Sequence, residues 1–222
     1  MTRRARDAIT GRMADVSDNA DPPVAASRFS AADLPRDGRD YPALLHLQTR
    51  RMRLHGFAFG HTFDLLRLGR EERVTRRLLD DPVDTLDDAM GLIVWANTLY
   101  RDRPGLGLWH TRDRDGRFIG LFSLTPSGAA DDVAIGVRLL PSAWGRGYAI
   151  EGGAALCTHA FETLRLPALI AQCAPDNRSV PPLLQRLGFT EGAAGTQFGR
   201  PARRFRLQGA DWRGLRARRP VA

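Results

Sequence analysis

The residues best suited to chemistry form a short glycine-rich turn, Trp144-Gly-Arg-Gly-Tyr-Ala149. Gly145 and Gly147 carry no Cβ, so an anion can lie directly against the backbone. Arg146 adds a positive charge between them. If a helix begins here, its first N–H groups have no internal partner and its dipole makes this end positive. The turn therefore predicts a phosphate or pyrophosphate site. The alternative is a plain strand-to-helix connection that needs glycine only for its turn.

Two common phosphate loops do not fit this turn. The Walker loop requires a Lys after its glycines, and the chain contains no Lys. A dinucleotide fingerprint requires a third glycine where Ile150 stands, and a clear acidic residue at a strand end about 20 residues further on is also missing. The pattern therefore indicates a phosphate loop of another kind.

The flanking sequence supplies a strand before the turn and a helix after it. Val133 to Leu140 is an apolar run rich in β-branched residues, which is typical of a strand, and Pro141 ends it. After the turn, apolar residues recur at steps of three and four, which predicts a helix of about five turns. These residues are Ile150, Ala154, Cys157, Phe161 and Leu164.

This strand, turn and helix resemble the acyl-CoA pyrophosphate loop of the GNAT N-acetyltransferases, and most of all their ribosomal-protein N-terminal (Rim-type) branch. The matching residues are Pro141, Trp144, Gly145, Arg146, Gly147, Tyr148, Ala149 and Glu151. A second block, with the family's Asn and Leu-Gly-Phe, follows at Asn177 and Leu187 to Phe189. The first half is similar from Thr49-Arg-Arg-Met-Arg-Leu54 onward, so the resemblance covers roughly residues 47–208.

The resemblance implies acetyl-CoA as cosubstrate, no metal, and direct acetyl transfer to a primary amine. The backbone of the turn would hold the pyrophosphate, and Leu139 with nearby backbone would meet the pantetheine arm. In this fold the Leu139 strand typically bulges and splays from the next, so a freed N–H can stabilise the oxyanion. Asn177 would hydrogen-bond the arm across the splay, unless it serves only as a helix-entry residue. The implied cofactor-binding residues are Leu139, Trp144, Gly145, Arg146, Gly147, Tyr148, Ala149 and Asn177.

The catalytic residues are left unassigned. Many relatives carry a Tyr, which protonates the leaving thiolate, at the position of Leu184, and some Rim-type relatives carry a Ser at that of Val180. Glu151 matches a family position, but early in a helix it suits a structural acid that faces the dipole. Arg138 stands where some relatives carry an acid, and His110 could titrate, although an isolated His more often has no catalytic part. A thiol with a pKa of about 8.5 leaves tolerably without a donor.

The acceptor is predicted from the branch to be a protein N-terminal α-amine. The alternatives are a small amine or an aminoglycoside-like antibiotic, and a catalytically weak CoA-binding module. A group of acidic residues is expected on the acceptor side, where it would attract an ammonium group. We favour the simpler explanation that these acids stabilise a helix start and lie in a solvated loop. They are Asp80, Asp81, Asp84, Asp87 and Asp88.

The composition indicates one domain with extensions. Of 222 residues, 43% are hydrophobic, which is enough for one substantial core. Residues 1–40 lack periodicity and are predicted to be a mobile arm, 41–208 the N-acetyltransferase domain, and 209–222 a basic tail. The net charge is +8, all basic residues are Arg, and residues 197–222 hold eight Arg against one Asp. The tail could contact nucleic acid or the ribosome, but we favour a solvated tail because no binding motif is present.

The cysteine pattern and hydropathy indicate a cytoplasmic protein. Cys157 and Cys173 form no disulfide framework or zinc spacing, and Cys157 is predicted to be a core residue. The first 30 residues lack the apolar block of a signal peptide, and no apolar run reaches membrane-span length. A monomer and a homodimer both remain open.

The remaining elements predict an α/β fold with a mixed sheet, in which an antiparallel meander precedes a β-α-β unit. Strands are predicted at Met52–Phe57, in a hairpin around Asp113–Gly116, at Ala168–Cys173, at Phe189–Glu191 and at Arg203–Leu207. Helices are predicted at Thr62–Gly69, Glu71–Leu79 and about Val180–Leu187. A further helix, capped by Asp84 or Thr85 with Asp87 or Asp88 three residues on, would bury Leu86, Met90, Ile93 and Tyr100.

Overall fold

The computed structural model describes residues 46–127 and 132–217. The predicted mobile arm at 1–40 and the end of the predicted tail lie outside the described residues. The strands of the described part, in chain order, are β1 (His46–Gln48), β2 (Met52–Gly56), β3 (Gly107–Asp113), β4 (Phe118–Pro126), β5 (Val133–Leu139), β6 (Ala168–Cys173), β7 (Thr190–Glu191), β8 (Gly195–Gln197) and β9 (Arg200–Gln208).

The strands form one mixed sheet in the order β1-β2-β3-β4-β5-β6-β9-β7, with β8 beside β9. Strands β5 and β6 pair in parallel, whereas the other pairs are antiparallel. The predicted fold class and the hairpin at Asp113–Gly116 are therefore confirmed. Asp113 closes that turn, because its carboxylate accepts hydrogen bonds from the amides of Asp115 and Arg117.

The helices are α1 (Thr62–Gly69), α2 (Glu72–Thr75), α3 (Leu86–Asp102), α4 (Tyr148–Thr158), α5 (Val180–Leu187) and α6 (Gly209–Ala217). A π-helical turn at His159–Thr163 continues α4. Thr85 and Asp88 form the capping box that begins α3, as predicted. The helix predicted over Glu71–Leu79 is wrong in length, since only α2 forms there. Residues 209–217 of the predicted tail form α6, and its Trp212 is buried.

The buried stripe of α3 differs from the predicted one. Ile93 and Tyr100 are buried, but Leu86 and Met90 are 48% and 40% exposed. The buried face also includes Ala89 and Ala96, whose small side chains let the helix lie close to the sheet. The prediction followed the apolar side chains, whereas packing selected the face that approaches the sheet most closely.

Helices cover both faces of the sheet. Leu121 of β4 faces the side where Leu92 of α3 lies, because both line the same cavity. The next residue, Phe122, points to the opposite face and meets α4, since a Cβ added at Gly152 would lie 2.2 Å from its ring. The sheet therefore positions α3 and α4 on opposite sides of the central strands. In the part of the chain that the structure describes, no helix is both long and apolar enough to cross a membrane.

Three imidazoles cluster on β2, β3 and the turn before α1. His55 and His110 are cross-strand neighbours, and the His61 ring stacks on His110 with centroids 4.0 Å apart. His110 is fully buried, and its Nε2 lies 2.8 Å from the carboxylate of Asp64. Burial, with repulsion from the neighbouring imidazoles, holds the pKa of His110 well below 6.5 despite Asp64, and burial also lowers the pKa of His61. Both rings are therefore neutral in the folded protein near pH 7.

Replacing His110 by Leu is expected to weaken the loss of stability in acid. Below about pH 6.5 the unfolded chain binds protons on these histidines and the folded chain does not, so the free energy of unfolding is highest above that pH and falls as the pH drops. Each such histidine lowers the free energy of unfolding by about 1.4 kcal/mol for each pH unit below the pKa that it has in the unfolded chain. Urea unfolding at pH 7.5, 6 and 5 should show a shallower pH slope for His110→Leu. An unchanged slope would contradict this assignment.

Candidate functional site

The glycine-rich turn joins β5 to α4 through a backbone that only glycine adopts easily. Gly145 and Gly147 have φ values of 71° and 78°, in the left-handed region. Gly147 is the N-cap of α4, and residues 144–147 are exposed. Nothing lies within 4 Å of a Cβ added at Gly145, so the backbone is open to an approaching ligand.

The start of α4 presents amide groups that the helix itself cannot satisfy. The Glu151 amide donates to the Gly147 carbonyl at 3.1 Å, which begins the helical ladder. The amides that precede it therefore have no partner in the helix. Arg146 is exposed beside them and adds its charge to the positive end of the helix. This arrangement can bind a phosphate group.

Trp144 ties the turn to the end of β5. Its Nε1 donates to the Leu139 carbonyl at 2.7 Å, and the Arg73 guanidinium stacks 5.1 Å from the centre of its ring. The Leu139 carbonyl is therefore already bonded within the protein. A ligand beside Leu139 could bond to its amide or to the second lone pair of that carbonyl oxygen.

Strands β5 and β6 separate after a single paired position, Ala134 with Ile170. The Leu140 amide donates to the Ile119 carbonyl at 2.9 Å. This bond shows which alternate residues of β5 direct their amides and carbonyls towards β4. Because alternate residues of an antiparallel strand face the partner, Leu139 and Val137 direct their amides away from β4, towards the gap beside β6. The predicted splay is thus present, with main-chain amides along it.

The predicted bulge in β5 is wrong. The β4–β5 register runs without a shift from Gly120 opposite Leu139 to Pro126 opposite Val133. The irregularity lies instead between β3 and β4, where Ile119 is the extra residue. Gly120 has φ 141°, and a Cβ there would lie 2.1 Å from the Arg138 carbonyl oxygen, so the close approach of β4 to β5 requires glycine.

Asn177 stands at the far side of the gap, just before α5. Its Oδ1 accepts from the Ser179 and Val180 amides at 3.1 Å and 3.3 Å. This is the helix-entry role that the sequence leaves open as an alternative. Asn177 also lines the cavity described next, and its bonds to the two amides use Oδ1 and not Nδ2. Both roles are compatible, because they use different atoms of the carboxamide.

A cavity of about 500 Å³ lies between the sheet, α3 and the segment at 77–83. Its size falls within the usual range for small-molecule sites. Its apolar wall includes Leu92, Trp95, Leu108, Leu121 and Phe198. Its polar groups include Asp80, Ser123, Thr125, Arg138, Gln172 and Asn177. The cavity also includes β5 residues 134–138, so it reaches the gap between β5 and β6.

The acidic residues near this cavity are largely engaged. Asp80 pairs with Arg138 at 2.5 Å, and Asp81 pairs with Arg200 at 2.8 Å. Asp88 belongs to the capping box of α3. These contacts favour the structural explanation of the acidic cluster over an attracting rim.

The residues considered for proton transfer occupy structural positions. Leu184 is buried, and Val180 lines the cavity without a polar group. His110 lies in the imidazole cluster and binds Asp64. Burial alone would raise the pKa of Glu151, but hydrogen bonds from Thr49 and Arg51 outweigh it and hold the pKa below its usual value. Glu151 is therefore an ion-paired carboxylate.

Both cysteines are free and buried. Burial raises the pKa of Cys157 to about 12 and also raises that of Cys173, which lines the cavity. The thiols are therefore protonated at neutral pH and poorly reactive. The core position predicted for Cys157 is confirmed.

Sequence reasoning missed Arg51, which binds Glu151 and the turn. Arg51 lies in the stretch that resembles the family, but nothing in the sequence connects it with Glu151, which is 100 residues away. Local periodicity cannot connect positions so far apart in the chain.

Known proteins are similar to this chain in sequence and in fold. A family model described as an acetyltransferase (GNAT) domain matches residues 51–190. FsC-acetyl coenzyme A-N(2)-transacetylase from Aspergillus fumigatus is 27% identical over 152 residues, which are 65% of this chain and 64% of that protein. The chain therefore spans somewhat less than two thirds of this relative's length.

Two solved structures illustrate the similarity of fold. An acetyltransferase from Agrobacterium tumefaciens superposes with a TM-score of 0.64 at 24% identity, over 73% of this chain and 94% of the other. Mycobacterium smegmatis RimJ, in complex with CoA-disulfide, superposes with a TM-score of 0.62 at 16% identity, over 73% and 86%. At these identities the structures support the fold alone.

Proposed function

The chain belongs to the GNAT acetyltransferase family, and from this premise we propose that it transfers the acetyl group of acetyl-CoA directly to a primary amine. The single observation that carries the proposal is the open turn at Gly145 and Gly147, whose exposed backbone adjoins the gap between β5 and β6. The turn suits a diphosphate, and the gap suits an extended arm that pairs with strand amides.

The proposed cosubstrate contacts follow the geometry of these elements. The backbone from Trp144 to Ala149 binds the diphosphate, with Arg146 beside it. The Leu139 amide and the Asn177 side chain contact the pantetheine arm from opposite sides of the gap. Leu139 contributes its amide, which faces the gap, while its carbonyl already accepts a hydrogen bond from Trp144.

The proposed reaction is a direct displacement. The neutral amine attacks the thioester carbon, a C–N bond forms, and the C–S bond breaks to release coenzyme A. An amide facing the gap, at Val137 or Leu139, stabilises the oxyanion. The thiolate takes a proton from water, and the new amide releases the amine proton to water. Holding both substrates in one cleft supplies much of the rate.

A protein N-terminus is the leading acceptor within this proposal. An α-amine has a pKa of about 8 and a lysine amine one of about 10.4, so more of the α-amine is neutral at pH 7. No side chain has been assigned as a general base, so an acceptor that is easier to deprotonate is favoured. The resemblance to the Rim-type branch points the same way.

Two alternative functions remain. The first is transfer to a small amine or an aminoglycoside-like antibiotic, and the relative from Aspergillus fumigatus is named for acetyl transfer to an N(2) position. The absence of a Tyr or Ser at Leu184 and Val180 favours a catalytically weak CoA-binding module.

Free-thiol release from acetyl-CoA would separate these functions. The assay would compare peptides with a free N-terminus, the same peptides with the N-terminus blocked and one Lys added, and a panel of small amines. Both cysteines of the chain are buried, so they should contribute little background to a thiol reagent. Release with free N-termini alone supports the leading function. CoA binding without release supports the binding module, and a lack of both would overturn the proposal.

The cytosol is the proposed compartment, because free buried thiols are typical of reducing conditions.

A further inference from the structure

The turn between β1 and β2 reaches across to the start of α4. Arg51 ends this turn and approaches the glycine-rich loop from outside the β5-α4 unit. Its contacts connect two parts of the chain that lie about 100 residues apart.

Arg51 binds Glu151 through two of its own groups. Its backbone amide donates to Glu151 Oε1 at 2.8 Å, and its Nε donates to Oε2 at 2.6 Å. The carboxylate thus closes on Arg51 in a bidentate contact, and the two charges compensate each other. Because Glu151 lies in the first turn of α4, this contact anchors the start of the helix.

The other two nitrogens of the guanidinium, NH1 and NH2, lie at the loop itself. NH1 donates to the Arg146 carbonyl at 2.8 Å. The guanidinium carbon lies 4.8 Å from the centre of the Tyr148 ring, and NH2 would be 3.2 Å from a Cβ at Gly147. Arg51 therefore contacts Arg146 and Tyr148 and lies beside Gly147 between them.

The bond to the Arg146 carbonyl has a direct consequence for the next amide. A trans peptide unit is planar, and its C=O and N–H point in opposite directions. A carbonyl of Arg146 that is held towards Arg51 therefore directs the Gly147 N–H away from Arg51, towards the open side of the loop. That amide is one of those proposed to bind the diphosphate.

We propose that Arg51 is a positioning residue that holds the diphosphate loop in its binding conformation before the cosubstrate arrives. This inference rests on the proposed function. Arg51 acts through the Gly147 amide and the start of α4, and Glu151 neutralises its charge. It should therefore affect donors that carry a diphosphate and spare donors that lack one.

The chain contains a matched control for this contact. Arg203 also binds a glutamate with two nitrogens, Nε and NH2, each 2.7 Å from Glu191, and it also stacks on an aromatic ring, that of Phe205. It joins β9 to β7 and does not contact the loop. Arg203→Met thus removes an equivalent surface contact elsewhere in the fold.

The experiment compares acetyl-CoA with S-acetylpantetheine, a thioester that lacks the diphosphate, in the wild type, Arg51→Met and Arg203→Met. For Arg51→Met we expect the KM for acetyl-CoA to rise about tenfold, which corresponds to roughly one lost hydrogen bond. The kcat/KM for S-acetylpantetheine should stay within about twofold of wild type, and Arg203→Met should leave both donors unchanged. Arg51→Lys keeps the ion pair but cannot also reach the Arg146 carbonyl, so it should show the same donor selectivity even if Arg51→Met does not fold.

Equal losses with both donors would overturn the inference, as would an Arg51 variant that matches Arg203→Met. A wild-type protein that neither binds CoA nor releases thiol would instead remove the proposed function itself. If the wild type is active and both Arg51 variants keep the wild-type KM for acetyl-CoA, only the role of Arg51 fails.

Discussion

Replacing Gly147 by Glu is expected to weaken CoA binding by at least about 100-fold, which corresponds to roughly 2.7 kcal/mol. Gly147 has φ 78°, where a side chain costs roughly 1–2 kcal/mol. A Cβ would also press on Arg51 at 3.2 Å. The added carboxylate would stand at the positive end of α4, where it competes with and repels the diphosphate. Calorimetry with CoA on the folded variant measures the change.

Gly116 provides the control for backbone strain and charge. It has φ 77°, and nothing lies within 4 Å of a Cβ there, in the turn between β3 and β4. Gly116→Glu should therefore lose a comparable amount of stability and keep the wild-type affinity for CoA. If Gly147→Glu also keeps that affinity, or if both variants lose it equally, the diphosphate does not bind at this loop.

Replacing Gly152 by Val is expected to lower the free energy of unfolding by at least about 3 kcal/mol. A Cβ at Gly152 would lie 2.2 Å to 2.8 Å from three atoms of the Phe122 ring. Phe122 is fully buried, so the ring cannot move into solvent. Helix α4 would have to move away from β4, and the loop before it would move with it. Urea unfolding measures the loss.

Gly214 in α6 is the matched control for a glycine inside a helix. Nothing lies within 4 Å of a Cβ there, so Gly214→Val adds a side chain without a clash. Since Val is a slightly better helix former than Gly, we expect a change below about 0.5 kcal/mol. A similar loss in both variants would mean that helix propensity, and not the packing of α4 on Phe122, determines the effect at Gly152.

Local patterns predicted the elements around the site well. Strand β6 and helix α5 lie where the alternation and periodicity of the sequence indicate, and Thr85 with Asp88 caps α3 as expected. These signals depend on neighbours within one or two turns, which a single sequence contains in full. The glycine-rich turn belongs to the same class, because its glycines reflect a backbone need that holds wherever the turn lies.

Patterns across longer distances were less informative. The extra residue of the irregular ladder lies on β4 and not on β5, because strand register depends on how three strands pack together. The exposed Leu86 and Met90 show that hydrophobicity alone did not identify the buried face of α3. The sequence favoured a structural role for the acids near the cavity, but it did not indicate that Asp80 and Asp81 pair with Arg138 and Arg200.

The sequence by itself determined the family, the order of strand, turn and helix, and the glycines of the loop. The elements and the glycines depend on residues that are close together in the chain, and the family on the order and spacing of several such short motifs. Only the tertiary structure decided that Arg51 holds the loop, that the Leu139 carbonyl is engaged by Trp144, and that the cavity reaches the gap beside β5. The physical reason is that hydrogen bonds and ion pairs depend on distance in space, and the pairing of strands and packing of helices bring together residues that are far apart in the chain.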